Sequence, residues 1–350
     1  VSHINLRAAI VGATGYGGVE LIRLLSTHPY VTITSVISSS SAGEPIAGIF
    51  PHLTEIRTDT LDGIDPALIR DKADVVFLAT PHGVSTKLAP EFLAAGLRVI
   101  DLSGDFRLKN PQLYRDWYKH EPADAEWLGQ AVYGLAEVFG QQVVNHRFIS
   151  NPGCYPTTAA LALYPAVQAG WIDPDSIIID AKSGVSGAGR GLGLGTHFSE
   201  VNENFKAYKV NVHQHTPEIE QTLSHAAGRP VTVTFTPHLV PMTRGILSTA
   251  YATMTTVRGN EDFIALYQQF YEGRPFVRVR PSGQLPATKE VWGSNYCDIG
   301  FSVDRRTGRI TIVSAIDNLV KGAAGQAVQN LNLSMGWDET LGLRFVPAYP

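Results

Sequence analysis

Over roughly the first 150 positions, apolar residues fall in short, nearly unbroken runs: LRAAIV at 6–11, VTITSVI at 31–37, DVVFLA at 74–79 and LRVIDL at 97–102. Between them, 19–25 and 85–95 carry apolar residues at helical spacing. Strands that read as continuous apolar runs are buried on both faces, so this alternation predicts a parallel sheet covered by helices on each side. From about residue 154 the rhythm changes. One helical stretch is followed by apolar segments at 176–180, 231–235, 246–257, 276–280, 296–303 and 309–315, with fewer helices between them. That pattern predicts a mixed or antiparallel sheet with helices on one side. The Ala- and Gly-rich stretch 318–333 is again helical in spacing and is expected to return to the first domain.

The first apolar run ends in GATGYGG, where Gly12, Gly15 and Gly18 sit at a strand-to-helix junction. Missing side chains there let backbone approach a pyrophosphate at a helix N-terminus, and Thr14, Tyr16 and Gly17 complete the candidate cofactor loop. The spacing GxxGxxG is a variant of the dinucleotide fingerprint and draws its weight from the alternating pattern around it. An NAD site usually carries an acidic residue after the second strand. Here that position holds Ser38, Ser39, Ser40 and Ser41. Hydroxyls do not repel a 2′-phosphate, which favours NADP, although no arginine stands beside them. The expected fold class is therefore α/β: a Rossmann-type dinucleotide-binding domain, residues 1–151 with 317–350, plus an α+β catalytic and dimerisation domain with a mixed or antiparallel sheet, residues 152–316.

Length supports two domains: 350 residues with 44% hydrophobic content can bury sizeable cores. Twenty-eight Lys and Arg against 32 Asp and Glu give a net charge of −4, which offers no basic field for nucleic acid or anionic lipid. A small-molecule partner is expected. The two cysteines are far apart in sequence, which suits a reducing compartment rather than a disulfide framework. No apolar run reaches the ~18 residues of a membrane span, and 1–7 lacks a basic stretch leading into an apolar one. A cytoplasmic location is the expectation.

A short strand at 147–150 leads into NPGCYPT and then the apolar-periodic TAALALYPAV. Cys154 is thus placed in a first helical turn, where free N–H groups and the helix dipole favour a thiolate. Cys297, inside the strand SNYCDIGF, reads instead as a small buried apolar residue. A thiolate nucleophile works with a base. The segment NVHQHTPEI supplies His213 and His215 before a helix that Thr216 is expected to cap and Pro217 to open. Either histidine fits. His28, His146 and His225 read as loop or surface residues. No metal site is expected, because no further ligand set accompanies the pair.

NPGCYPT, with GATGYGG before it and HQHTPEI after it, resembles the N-acetyl-γ-glutamyl-phosphate reductase family of arginine biosynthesis. The resemblance extends through DLSGDFRL at 101–108, KSGVSGAGR at 182–190, PHLVPMTRG at 237–245 and DNLVKGAAGQAVQN at 317–330. Gly104 departs from the family's usual Ala, one small residue for another. The resemblance implies NADPH-dependent reduction of N-acetyl-γ-glutamyl phosphate to N-acetylglutamate 5-semialdehyde with phosphate release, through a thioester on Cys154. It implies His215, with His213 retained, as the proton-handling group. Arg107 and Arg190 suit carboxylate or phosphate by bidentate hydrogen bonds, and Ser183, Gly184 and Ser186 would turn their N–H groups to the same pocket.

Two related enzymes share this chemistry: aspartate-semialdehyde dehydrogenase and a reductase of carrier-linked aminoadipyl phosphate. The former is expected to carry its histidine shortly after the VP-containing strand entry, where this chain has Met242-Thr243-Arg244-Gly245-Ile246. A non-catalytic dinucleotide-binding regulatory protein is the alternative of another class; Cys154 and its histidine pair speak against it. The long apolar strands of the second domain suggest self-association as a homodimer or homotetramer.

Overall fold

The computed structural model describes residues 5–349, so residues 1–4 and 350 of the expected ranges lie outside the described residues. The chain divides into two compact units, 1–152 with 323–344, and 153–322 with 345–350.

The first unit is built on a six-stranded sheet in the order β2-β1-β3-β4-β6-β5. Its strands are β1 (Leu6–Val11), β2 (Val31–Ile37), β3 (Val75–Leu78), β4 (Arg98–Asp101), β5 (Val132–Tyr133) and β6 (Phe148–Ser150). All pairs are parallel, as continuous apolar strands require. Val75–Leu78 is buried at every position. Between strands the chain forms the helices Tyr16–Leu25 and Ser85–Ala94. Gly12 has φ +80°, and a Cβ there would lie 2.3 Å from the Ala79 carbonyl oxygen. Only glycine lets β1 turn so tightly against the end of β3. The helix Gly325–Ser334 belongs to this unit and packs on Ala136–Val143 and on Tyr16–Leu25. Its amides fasten the unit internally: Asn330 Nδ2 donates to the Gly134 carbonyl and to Asn151 Oδ1, at 2.8 and 2.9 Å.

The second unit is built on a seven-stranded mixed sheet in the order β11-β12-β13-β10-β7-β9-β8. Its strands are β7 (Ile178–Gly184), β8 (Lys206–Ala207), β9 (Thr234–Val240), β10 (Ile246–Thr253), β11 (Val277–Val279), β12 (Cys297–Asp304) and β13 (Arg309–Ile316). The β12-β13-β10-β7 core is antiparallel, whereas β7 runs parallel to β9 and β11 to β12. β10 alternates buried and half-buried residues along its whole length. One of its faces therefore meets the core and the other does not.

Two boundaries differ from expectation. Residues 317–322 stay with the second unit because their polar groups are bonded there. Asp317 accepts the Gly293 N–H at 2.8 Å, and Asn318 Oδ1 accepts that of Gly245 at 2.7 Å. The tail from Phe345 also joins the second unit, where the Ala348 N–H donates to the Trp292 carbonyl.

Candidate functional site

Cys154 opens the helix Cys154–Gln168, whose remaining residues up to Val167 are all buried. Gly153 is its N-cap and brings no side-chain cap, so the half-buried cysteine stands among first-turn N–H groups. The helix Thr216–Ala227 packs against it and carries the histidine turn at its head. His215, not Thr216, occupies the N-cap; Thr216 is already helical, and no side chain caps this helix. The turn closes when the Thr216 N–H donates to the His213 carbonyl at 3.0 Å.

The Tyr155 ring organises this cluster. Its centroid lies 5.4 Å from that of His213 and 5.9 Å from that of His215, and the two imidazoles are 4.8 Å apart. His213 Nδ1 accepts the His215 backbone N–H at 3.1 Å. That acceptance puts the proton of a neutral His213 on Nε2, which faces the Tyr208 hydroxyl at 3.5 Å. Tyr208 in turn donates to the Tyr155 hydroxyl at 3.2 Å. Burial pushes the Tyr208 phenol up to about 12, and the charge of Cys154 adds to the rise. Burial, then Tyr208, likewise hold the Tyr155 phenol far above its usual range. Both phenols stay protonated and can only donate or share neutral hydrogen bonds near neutral pH.

Sequence reasoning singled out Cys154, His213 and His215 but passed over two residues that hold them. Fully buried Glu218 accepts the Gly153 N–H at 2.8 Å, fixing the residue that precedes the cysteine. It lies in HQHTPEI, three residues after His215, a helical offset that was available as a signal. Gly322 packs on the cysteine itself; a Cβ there would fall 2.7 Å from the Cys154 Cβ.

The small-residue loop behaves differently from expectation. The Gly184 N–H donates to the Gly245 carbonyl and the Ser186 N–H to that of Thr243, at 2.9 and 3.1 Å. These N–H groups are spent on pairing and do not line a pocket. Ser183 is buried with its hydroxyl donating to the Gly184 carbonyl, and Ser186 Oγ accepts from Asn318. Arg190 is exposed in the loop that follows. Arg107 is buried within the first unit, where Nε donates to the Asn151 carbonyl at 2.8 Å and Nη2 to that of Leu102 at 2.7 Å. It braces the loop leading to the cysteine helix. Gly104 is not an indifferent exchange either, since a Cβ would meet the Tyr118 ring at 2.2 Å. His28, expected as a loop or surface residue, lies in a loop but is buried and bonded to Asn332 Oδ1 at 2.9 Å.

At the glycine turn, Gly15 is the N-cap of Tyr16–Leu25 and no side chain caps that helix. A Cβ on Gly18 would lie 2.3 Å from the Gly12 carbonyl oxygen, whereas Gly15 and Gly17 have no contact closer than 3.4 and 3.8 Å. Gly12 and Gly18 are thus required by packing, and Gly15 and Gly17 leave backbone open at a positive helix end. Thr14 and Tyr16 are half-buried beside them. This arrangement fits a pyrophosphate. After β2, Ser38 is buried with its hydroxyl 3.3 Å from that of Ser40, and Ser39 and Ser40 are exposed. Among the described residues, no group of three or more His, Cys, Asp or Glu is arranged to hold a metal, and no helix is long and apolar enough to cross a membrane.

Two family models match: the semialdehyde dehydrogenase NAD binding domain over residues 7–146 and the semialdehyde dehydrogenase dimerisation domain over 154–318. Among solved structures, aspartate semialdehyde dehydrogenase II complexed with ASA from Vibrio cholerae superposes with a TM-score of 0.71 at 19% identity, covering 94% of this chain and 98% of that one. Aspartate semialdehyde dehydrogenase with NADP from Candida albicans gives 0.71 at 18% identity over the same shares. These likenesses concern the fold. Sequence similarity is much higher to curated N-acetyl-γ-glutamyl-phosphate reductases. That of Brevibacillus brevis is 55% identical and that of Geobacillus kaustophilus 56%, each over 345 residues, 99% of this chain and all of the relative. That of Symbiobacterium thermophilum is 54% identical over 349 residues. The chain therefore belongs to the N-acetyl-γ-glutamyl-phosphate reductase family, assembled from the two semialdehyde dehydrogenase modules.

Proposed function

We propose that the chain reduces N-acetyl-γ-glutamyl phosphate to N-acetylglutamate 5-semialdehyde, with Cys154 as the covalent nucleophile. The observation that carries this is Cys154 at an uncapped helix start, followed directly by Tyr155, whose ring packs on both His213 and His215. The Cys154 thiolate attacks the acyl phosphate carbon, the carbon–oxygen bond to phosphate breaks, and phosphate leaves with the bonding electron pair. First-turn N–H groups favour the anion that forms on the carbonyl oxygen. Bound nicotinamide supplies the hydride that takes the acyl carbon to the aldehyde oxidation level. His215 handles the protons, giving one to the thiohemiacetal oxygen and removing it as the thiolate departs. His213 orients its neighbour, a division supported by the commitment of its Nδ1 to the His215 backbone.

Gly12, Thr14, Gly15, Tyr16, Gly17 and Gly18 are proposed to hold the dinucleotide, with Ser38, Ser39 and Ser40 receiving the 2′-phosphate of NADP. Arg190, Ser183 and Ser186 remain proposed substrate contacts, through side chains rather than backbone; Arg107 is proposed to act through Asn151. A cytoplasmic enzyme assembling as a homodimer or homotetramer completes the reading.

The experiment is acyl trapping. Incubation with N-acetyl-γ-glutamyl phosphate without cofactor is expected to add one N-acetylglutamyl group to the Cys154 peptide, seen by mass spectrometry, and Cys154→Ala should show none while still binding NADPH. Adduct on another residue, or turnover surviving in Cys154→Ala, would refute the assignment.

A further inference from the structure

The first unit carries a cavity of about 560 Å³ to which the reaction above assigns nothing. Its walls include Leu93, Trp127, Gln130, His146, Arg147 and Phe148. The glycine turn follows the carboxyl end of β1, and β4 and β6 run parallel to β1 through β3. Arg98 opens β4 and Phe148 opens β6, so the cavity lies at the amino edge of the sheet, opposite the glycine turn.

Two independent features of this edge point to an anion. Arg98 donates to the His146 carbonyl and Arg147 to those of Gly96 and Leu97, yet among the described residues no carboxylate pairs with either guanidinium. Burial, and then the neighbouring Arg147 cation, hold Arg98 below its ordinary value. Two adjacent cations without a counter-charge are a cost that a bound anion removes. Secondly, His146 Nδ1 is buried with no hydrogen-bond partner among the described residues. Buried polar atoms ordinarily have one. Trp127 and Phe148 supply apolar walls beside these polar groups, and the volume is that of a small-molecule site.

We propose that this cavity binds a small organic anion with a planar apolar body, its carboxylate or phosphate held by Arg147 with Arg98 behind it and its body against Trp127. The guanidinium fork matches either oxyanion, and the aromatic wall selects against inorganic ions. Such a site is separate from the acyl phosphate pocket and does not depend on the reaction assigned to Cys154.

Isothermal titration with benzoate, phenyl phosphate and neutral benzamide tests it on the intact protein. One or both anions should bind at least about tenfold more tightly than benzamide, and whichever is tighter identifies the preferred head group. Arg147→Gln should weaken that binding about tenfold while leaving turnover within about twofold of the original. Arg98→Gln, a second and independent variant, should weaken it similarly. Equal affinity for benzamide, or anion binding indifferent to both substitutions, would overturn the proposal.

Discussion

Cys154 owes its place to groups that do no chemistry. Glu218 fixes Gly153, Tyr155 packs against both imidazoles, and His213 is pinned by the backbone of His215. Elsewhere a buried acid is expected to give the molecule a pH response. Asp101 is fully buried at the end of β4, where burial and then the charge of Asp105 push its carboxyl up to about 7. In an unfolded chain the value is about 3.9. Between those values the folded state binds more proton than the unfolded one, so Asp101 makes stability fall as pH rises from about 4 to about 7. Asp101→Asn should flatten that fall, read as urea midpoints at pH 5 and pH 8. An unchanged slope in the variant would count against the buried acid as its source. Cys154 was legible at this scale because helix-start chemistry is local, written in NPGCYPT. The partners Tyr208, at 3.5 Å from His213, and Gly322 were not, because their neighbours are brought close only by folding.

At the scale of elements, the sequence pattern located the strands well where they were buried on both faces, as in β1 and β3. It was least informative where backbone pairing consumes groups that look available. The Gly184 and Ser186 N–H groups read as a pocket lining and prove to be partners of the 243–245 turn. Arg107 read as a substrate cation; its bonds to the Asn151 and Leu102 carbonyls were not legible, because a carbonyl acceptor leaves no mark in sequence. The return of helix Gly325–Ser334 was visible as periodicity, but its junction lies six residues later than composition suggested, held back by Asp317 and Asn318. Gly322→Ala tests how closely these elements meet. Its Cβ would displace Cys154 from 2.7 Å contact, and a misplacement of about 1 Å should lower kcat by roughly 100-fold. Melting should shift far less than the rate. A variant with normal kcat would show that the cysteine helix tolerates the intrusion.

For the whole molecule, the second unit coincides with a family module described as a dimerisation domain, and half of β10 faces away from its core. Leu192, Leu194 and Phe198 are also exposed on this unit, with Leu194 at 75% and Phe198 at 77%. Static light scattering should give at least twice the 37.9 kDa chain mass. A monomer at micromolar concentration would contradict self-association. The aspartate semialdehyde dehydrogenases share this fold, so architecture alone does not choose the acyl group. The choice rests on the reductase family and on the histidines in HQHTPEI. The most direct measurement is phosphate-dependent NADP reduction with N-acetylglutamate 5-semialdehyde and aspartate semialdehyde side by side. A much higher kcat/KM is expected for the N-acetylated aldehyde; a preference for aspartate semialdehyde would contradict the assignment of the acyl group.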